Sequence, residues 1–474
     1  MLWEADSGFT SHKNTTAAYD KDGNLVGIEL GIREKGASAH FKAMSDTAKA
    51  FPDQGFTSRV FANLNGSNLL FPDWPDGGYY LGNLAAHPDA RGRGIGEKLI
   101  QNCFEQAKAA GLTAVALDVE ANNPAGLMGI IDWCEWGWIP DGLTRFGMRR
   151  LMAGRLRDSH RWDDAAREKA LEQFLADRRK GPIAIGTDDA NDQHYEVPPE
   201  FFLKSLGPRL KYSSCYFADE TTTLPQAEDA MLAMTAERAG IQDGMDILDL
   251  GCGWGSVTLY LLEHFPGVTV TSVSNSKDQG DYIRAQAEAR GFKDRSHVIT
   301  ADINHFVAPG QYDRIVSVEM FEHMRNYQAL LSKTMSWLKP DGRLFVHIFC
   351  HKLIAYTFED EEGTDWMARF FFTGGVMPHF DLFHGFPDLV SVEDRWWVNG
   401  THYEKTLNAW LALLDERREE IETLFAEHYP VDTPAIWAQR WRMFYMASAE
   451  LFGFGKGNQA GEEWGVGHYL LKRP

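Results

Sequence analysis

Three groups of residues in this chain combine types and spacings that could do chemistry. In ILDLGCGWG, Ile247 to Gly255, an apolar run breaks into Gly251, Gly253 and Gly255. Glycines there remove the β-carbons that would hold a nucleotide-like group away from the backbone, and Asp249 can fix either the ligand or the loop. In VEMFEHMRNY, Glu319, Glu322 and His323 are separated by three and four residues, which on a helical turn places them on one face. Carboxylates can hold a cation, and a histidine with an ordinary pKa near 6.5 can take its proton. The other reading of His323 is a capping or core histidine. In the third group, RGRGIGEKLIQNCFEQAKAAG, Arg91, Gly94 and Gly96 precede apolar residues at helical spacing: Ile95, Leu99, Ile100, Cys103 and Ala107. A glycine-rich turn opening a helix presents backbone amides and a positive helix end to an anion. An ordinary packing turn is the alternative.

These residues need elements to position them. Strands are expected at Asp246–Leu250, Val268–Val273, up to Ala301, at Asp313–Val318 and at Arg343–His347. Helices are expected at Gln226–Ala239, near Val257–His264, at Asp278–Arg290 and at Tyr327–Leu338. The alternation implies a mostly parallel, doubly wound sheet, with ligands outside the carboxyl ends of the strands. Those ends carry Gly251–Gly255, Ser274–Asn275, Asp302 and Glu319–His323, so all converge on one edge. Upstream, strands at Leu25–Gly31, Tyr79–Ala85 and Ala114–Val119 flank the helix that follows Gly94. A charged helix, roughly Trp162 to Lys180, and the polar segment GTDDANDQ read as a helix and linker between the two halves.

Composition bounds the partners. The chain has 474 residues, 44% hydrophobic and 12% aromatic, with a net charge of −20. Two or three domains are expected. An acidic surface repels nucleic acid and anionic membrane and tolerates cationic substrates. Five dispersed cysteines without a C-x-x-C pair point to a reducing compartment, with neither a disulfide framework nor a metal site. No signal-peptide pattern or long apolar run is present, so a cytoplasmic protein without membrane insertion is expected.

The motifs HYEVPPEFF, YSSCYF, ETTTLPQAEDAML, LDLGCGWGS, VEMFEHMRNY, FFTGG, VNGTHYEKT and GEEWGVGHYL follow one another from His194 to Leu470. Together they resemble the coclaurine and pavine N-methyltransferases. These are class I S-adenosylmethionine-dependent enzymes in the larger group that includes cyclopropane-fatty-acid synthases. The resemblance implies a Rossmann-like domain with a helical lid, S-adenosylmethionine as cofactor and a small-molecule amine as substrate. It implies that Asp249, Gly251 and Gly253 take the amino-acid part of the cofactor. By the same resemblance Asn275 and Gln279 hold the ribose, Asp302 and Ile303 form the adenine pocket, and Tyr212 and Ser213 close over the methionine end. Glu319, Glu322 and His323 match the acid/base cluster, and Glu196 matches a substrate-side carboxylate. The competing reading is cyclopropane-type modification of unsaturated lipid chains. The synthases' bicarbonate shell is matched by Cys215, Glu322, His347, Tyr403 and Phe349, but those enzymes usually carry glycine where this chain has Glu319. Phe370, Phe371, Phe372, Trp396 and Trp397 either line an amine pocket or form lid core.

The segment around Arg91, Gly94 and Gly96, with GNLAAHP before it, resembles the pyrophosphate loop of the Gcn5-related N-acetyltransferases. That resemblance implies an α/β domain binding acetyl-CoA. Trp133 stands where many members have a tyrosine proton donor, and a helix around His40–Ala50 stands for the acceptor-side helices. A non-catalytic coenzyme A sensor or an oligomerisation module is the alternative, and association of identical copies is left open. The expected organisation is an acetyltransferase-like domain at 1–153, a helix and linker at 154–193, and a methyltransferase domain at 194–474.

Overall fold

The computed structural model describes residues 15–19, 25–32, 78–86, 95–109, 114–117, 131–160, 164–184, 197–358, 365–429 and 434–474. The chain divides into two compact units, Met1–Leu127 and Met128–Pro474.

In the first unit, β1 (Thr15–Tyr19), β2 (Leu25–Ile32), β3 (Gly78–Ala86) and β4 (Ala114–Leu117) form a sheet in that order. The pairs are antiparallel except β3 and β4, which run parallel with α1 (Ile95–Ala109) between them. A strand, helix and parallel strand is the arrangement anticipated around Gly94. Arg91 and Gly94 themselves lie outside the described residues, as does the expected helix around His40–Ala50.

The second unit opens with a short helical stretch, 131–135, then α2 (Asp141–His160) and α3 (Asp164–Asp177). Its sheet comprises β5 (Asp246–Leu250), β6 (Thr269–Ser274), β7 (Ser296–Thr300), β8 (Tyr312–Val318) and β9 (Leu338–His351). A short ladder of β10 (Tyr356–Thr357) and β11 (Val376–Met377) lies apart from it, and β12 (Ser391–Val398) and β13 (Trp464–Lys472) complete the sheet in the order β12-β13-β9-β8-β5-β6-β7. Strands β5 to β9 are parallel, while β13 and β12 are antiparallel additions at the β9 edge. Strand order reverses between β5 and β8, which opens a crevice beyond their carboxyl ends.

Side chains alternate across this sheet with the two-residue period of a strand. Ile247, Val316 and Phe345 join one core with α5 (Leu224–Arg238) and α6 (Ser256–His264). Leu248, Ile315, Leu344 and Val346 join the opposite core with α8 (Tyr327–Ser336), where α7 (Lys277–Ala289) lies between β6 and β7 in the chain. A third core, rich in aromatic residues, belongs to the lid: α4 (Pro199–Ser205), α10 (Thr401–Glu416), α11 (Arg418–His428) and α12 (Pro434–Phe452), with the short α9 (Trp366–Phe370) against it.

Residues 131–153, expected in the first domain, and 154–160, expected in the linker, fall in the second unit. The Glu135 carboxylate accepts from Arg440 at 2.9 Å and from the Trp366 indole at 2.6 Å. Glu450 accepts from Arg145 and Arg149, and Arg442 donates to Asp141. Trp133, matched above to a proton-donor position, falls in the second unit. Among the described residues no helix is long and apolar enough to cross a membrane, and the five cysteines are buried and form no disulfide.

Candidate functional site

The loop after β5 is shaped by its glycines. Gly251 has φ +80°, and a Cβ there would lie 2.8 Å from Met320. Gly255, φ +79°, starts α6, and a Cβ there would lie 2.6 Å from Ile283. Side chains would be strained at both positions and would collide with their neighbours. Asp249, 1% exposed, accepts from the Thr258 hydroxyl at 2.6 Å, and burial raises its pKa to about 6. It therefore fixes the loop to α6 while also facing the crevice.

Above the crevice lies a cleft of about 1150 Å³, counting the part of it that is open to solvent. Its wall contains Tyr212, Ser213, Asp249, Gly251, Gly253, Asn275, Gln279, Asp302, Ile303, Glu319 and His323. Gln279 accepts from Ser274 at 2.7 Å, and Asp302 accepts from the Asn304 amide at 2.8 Å. The wall also includes Ala184, from a strap that the sequence reading placed in the linker. The Asn304 side chain bonds both the N–H and the carbonyl of Ala184, and Arg325 N–H donates to Ile183 at 2.7 Å. These bonds lock the strap over the Asp302 end of the cavity. Glu196 lies outside the described residues.

A second cavity, about 850 Å³ with its solvent-open part, shares Tyr212, Glu319 and His323 with the first and adds Glu322. The rest of its wall is mostly apolar and aromatic: Phe349, Phe358, Met367, Phe372, Met377, Leu407, Trp410, Phe444, Leu451 and Phe452, with Tyr403 and Ser448. Of the five aromatic residues proposed for a pocket or a lid core, Phe372 lines this cavity. Phe371 is fully buried in the lid core, and Phe370 stacks edge-on against Trp437. Trp396 and Trp397 lie on β12, away from the cavity.

Glu319, Glu322 and His323 do meet at one place, by a route other than a regular helix. Glu319 has φ +45°, and the turn Phe321–His323 is a single 3-10 turn. A left-handed non-glycine residue costs on the order of 1–3 kcal/mol and persists where its surroundings over-determine it. Here Oε2 accepts from the Tyr403 hydroxyl at 2.6 Å, and Oε1 from His347 Nε2 and the Ser214 N–H, both at 3.3 Å. His347 and Tyr403, two groups matched above to a bicarbonate shell, are thus turned on the chain's own carboxylate. Burial raises the Glu319 pKa to about 7. Glu322 is 1% exposed, its Oε2 has no hydrogen-bond partner, and burial together with the Glu319 charge lifts its pKa well above the ordinary range. His323 stands against the Phe372 ring, centroids 4.7 Å apart. Two buried carboxyls, one of them unsatisfied, thus face a cavity otherwise walled by apolar groups. That arrangement suits a cationic or proton-bearing guest and is costly without one.

Residues 38–127 match the acetyltransferase (GNAT) family. (S)-coclaurine N-methyltransferase of Thalictrum flavum subsp. glaucum is 36% identical over 362 residues, 74% of this chain and 98% of that protein. Pavine N-methyltransferase of the same plant is 31% identical over 360 residues, 75% of this chain and 100% of the relative. Both matches are longer than residues 194–474 can supply, in keeping with the packing of 131–184 in the second unit. A crystal structure of coclaurine N-methyltransferase bound to N-methylheliamine and SAH shares 34% identity at a TM-score of 0.70, covering 73% of this chain and 100% of that one. Residues 186–458 match the mycolic acid cyclopropane synthetase family, and with more than half its length inside that match, the chain belongs to that family.

Proposed function

We propose that the second unit transfers a methyl group from S-adenosylmethionine to the nitrogen of a small amine. The observation that carries this reading is the meeting of two cavities at Glu319 and His323, one lined by the glycine loop and polar side chains such as Asp249, Asn275 and Asp302, the other aromatic and closed by carboxyls. The glycine-lined cavity fits the cofactor: Gly253 lines it, and a Cβ on that residue would meet nothing within 4 Å, so the backbone is open to a guest. Asp249, Gly251 and Gly253 would hold the amino-acid end, Asn275 and Gln279 the ribose, Asp302 and Ile303 the adenine, with Tyr212 and Ser213 over the methionine chain. Bound there, S-adenosylmethionine supplies an electrophilic methyl group and carries its own leaving group.

The protein's part is to orient the amine and take its proton. An ammonium entering the aromatic cavity meets Glu319 and Glu322, and its charge offsets the cost of ionising them. A carboxyl with a pKa of about 7 is matched to removing a proton near neutrality, after which the nitrogen lone pair is free. His323, at the junction of both cavities, is placed to pass that proton outward. The aromatic wall excludes water and favours a cation with an apolar body.

The cyclopropane-type reading is less well supported. Glu319 takes up the donors Tyr403 and His347, and its ionised form is costly beside an acyl chain. For the first unit we propose acetyl-CoA binding, with Arg91, Gly94 and Gly96 around the pyrophosphate; acetyl transfer to an amine is the further reading. We assign residues 128–193 to the methyltransferase domain. The test of the main reading incubates the protein with methyl-labelled S-adenosylmethionine and, separately, an amine panel and vesicles of unsaturated phospholipid. Label is expected in an amine; label in lipid and in no amine would overturn it.

A further inference from the structure

A buried row of polar groups runs behind Glu319, away from both cavities. Arg238 Nη1 lies 2.8 Å from Nδ1 of His468, His468 Nε2 lies 2.9 Å from Nδ1 of His347, and His347 Nε2 lies 3.3 Å from Oε1 of Glu319. Both histidines are fully buried. The row is built by strand register: His468 on β13 pairs with His347 on β9, and Trp396 on β12 pairs with His468. Arg238, in the last turn of α5, places its guanidinium 5.0 Å from the centroid of the Trp396 ring. Glu319 N–H also donates to the His347 carbonyl at 2.8 Å, tying the two residues by backbone as well as side chain.

The direction of every bond in this row follows from one fact. A guanidinium only donates. His468 Nδ1 must therefore accept, which leaves the proton of a neutral ring on Nε2. That proton points at His347 Nδ1, which must accept in turn, so the His347 proton sits on Nε2 and points at Glu319. Burial holds the pKa of both rings well below 6.5, which keeps them neutral.

We propose that Arg238, His468 and His347 are positioning residues for methyl transfer, a one-way chain of donors that holds Glu319 in the orientation and ionised form that receive the amine. This rests on the reading of Glu319 as the amine-holding carboxylate. Without the chain one oxygen of Glu319 loses its side-chain donor, and hydrogen bonds to the charged form are what offset burial. The other groups facing Glu319 are Tyr403 from α10, Lys211 and Cys215 from the segment before α5, and Glu322 and His323 from its own turn. His468 is hydrogen-bonded in this row to Arg238 and His347, and the Lys211 charge, which acts on both rings, is the same in the wild type and in a His468 variant.

Two measurements test it. Side-chain nitrogen NMR of the histidine-labelled full chain is expected to show His347 and His468 as neutral Nε2–H tautomers at neutral pH. An Nδ1–H tautomer or an imidazolium at either ring would overturn the chain, whatever the substrate proves to be. In the second, His468→Phe should move the acidic limb of the kcat/KM–pH profile upward by about one pH unit, since a carboxylate that loses a donor is harder to ionise. S-adenosylhomocysteine affinity should stay unchanged, and His468→Gln, which keeps one donor and one acceptor, should return the limb to its wild-type position. A His468→Phe profile that superposes on the wild type would overturn the positioning role. Should His468→Phe fail to fold, Arg238→Met carries the same test from the partly exposed end of the row: His468 is expected to lose its single tautomer, and an unchanged spectrum would overturn the proposal. Failure of every amine in the panel, with the tautomers as expected, would count against the substrate reading alone.

Discussion

Replacing Glu319 with glutamine should change how stability depends on pH, and the size of the change follows from burial. In the folded protein this carboxyl titrates at about 7, while its ordinary value is near 4.5, and desolvation is the largest cause. Between those values the folded state keeps a proton that the unfolded chain releases, so stability falls as pH rises. The contribution is fully present below pH 4.5 and is lost as pH passes through the folded value. Some two and a half pH units at 1.36 kcal/mol each give a loss of roughly 3 kcal/mol from this group. Glutamine cannot ionise and keeps the shape. The stability of Glu319→Gln minus that of the wild type should therefore rise by about 3 kcal/mol between about pH 5 and about pH 8. Removing the charge also relieves Glu322, which adds to the difference in the same direction. The assay is urea unfolding at a series of pH values, followed by tryptophan fluorescence, with other titrating groups cancelling between the two proteins. A difference that stays flat or falls with pH would refute the argument that Glu319 is desolvated.

Other consequences are open to simple tests. Glu322→Gln should lower turnover by at least about 100-fold while leaving S-adenosylhomocysteine affinity within a few-fold, because Glu322 lines the amine cavity alone, and His323→Ala, at the junction of both cavities, should lower turnover more than it lowers that affinity; calorimetry beside kinetics separates the two effects. Gly251→Val forces a side chain into a left-handed position against Met320 and should abolish cofactor binding measured by calorimetry. Glu135→Ala removes the buried carboxylate that accepts from Arg440 and from the Trp366 indole and should cost about 3 kcal/mol, read as a lower midpoint in thermal unfolding. Acetyl-CoA should bind the full chain with measurable heat, and Gly94→Glu should remove that heat by placing bulk and negative charge in the turn; no heat in either protein would remove the coenzyme A reading.

The parts of the site legible in the sequence were those set by local chain geometry. Strands β5 to β8 each end in a short polar or glycine-rich step, so their carboxyl ends and the residues Asp249, Gly251, Asn275 and Asp302 could be placed on one edge from spacing alone. Glu319, Glu322 and His323 were legible as a cluster, but the reason differs: a left-handed residue and a 3-10 turn bring them together. No periodic pattern announces a strained position. The aromatic wall was only partly foreseen, because Phe349, Phe372, Trp410 and Phe444 come from elements far apart in the chain. The row from Arg238 to His347 was invisible for the same reason, since it depends on which residue of β13 faces which residue of β9. Helix α2 looks like an ordinary charged surface helix, and its charges give no local sign that they pair with α12.

The central claim is that this chain methylates an amine nitrogen, and product mass tests it most directly. The full chain, S-adenosylmethionine and a panel of cyclic secondary and tertiary amines with apolar aromatic bodies are incubated together, and the products are analysed by mass spectrometry with fragmentation. The account predicts a product heavier by one methyl group, carried on nitrogen, formed in equal amount with S-adenosylhomocysteine and lost in Glu322→Gln. A methyl group on carbon or oxygen, or S-adenosylhomocysteine formed with only lipid altered, would contradict it.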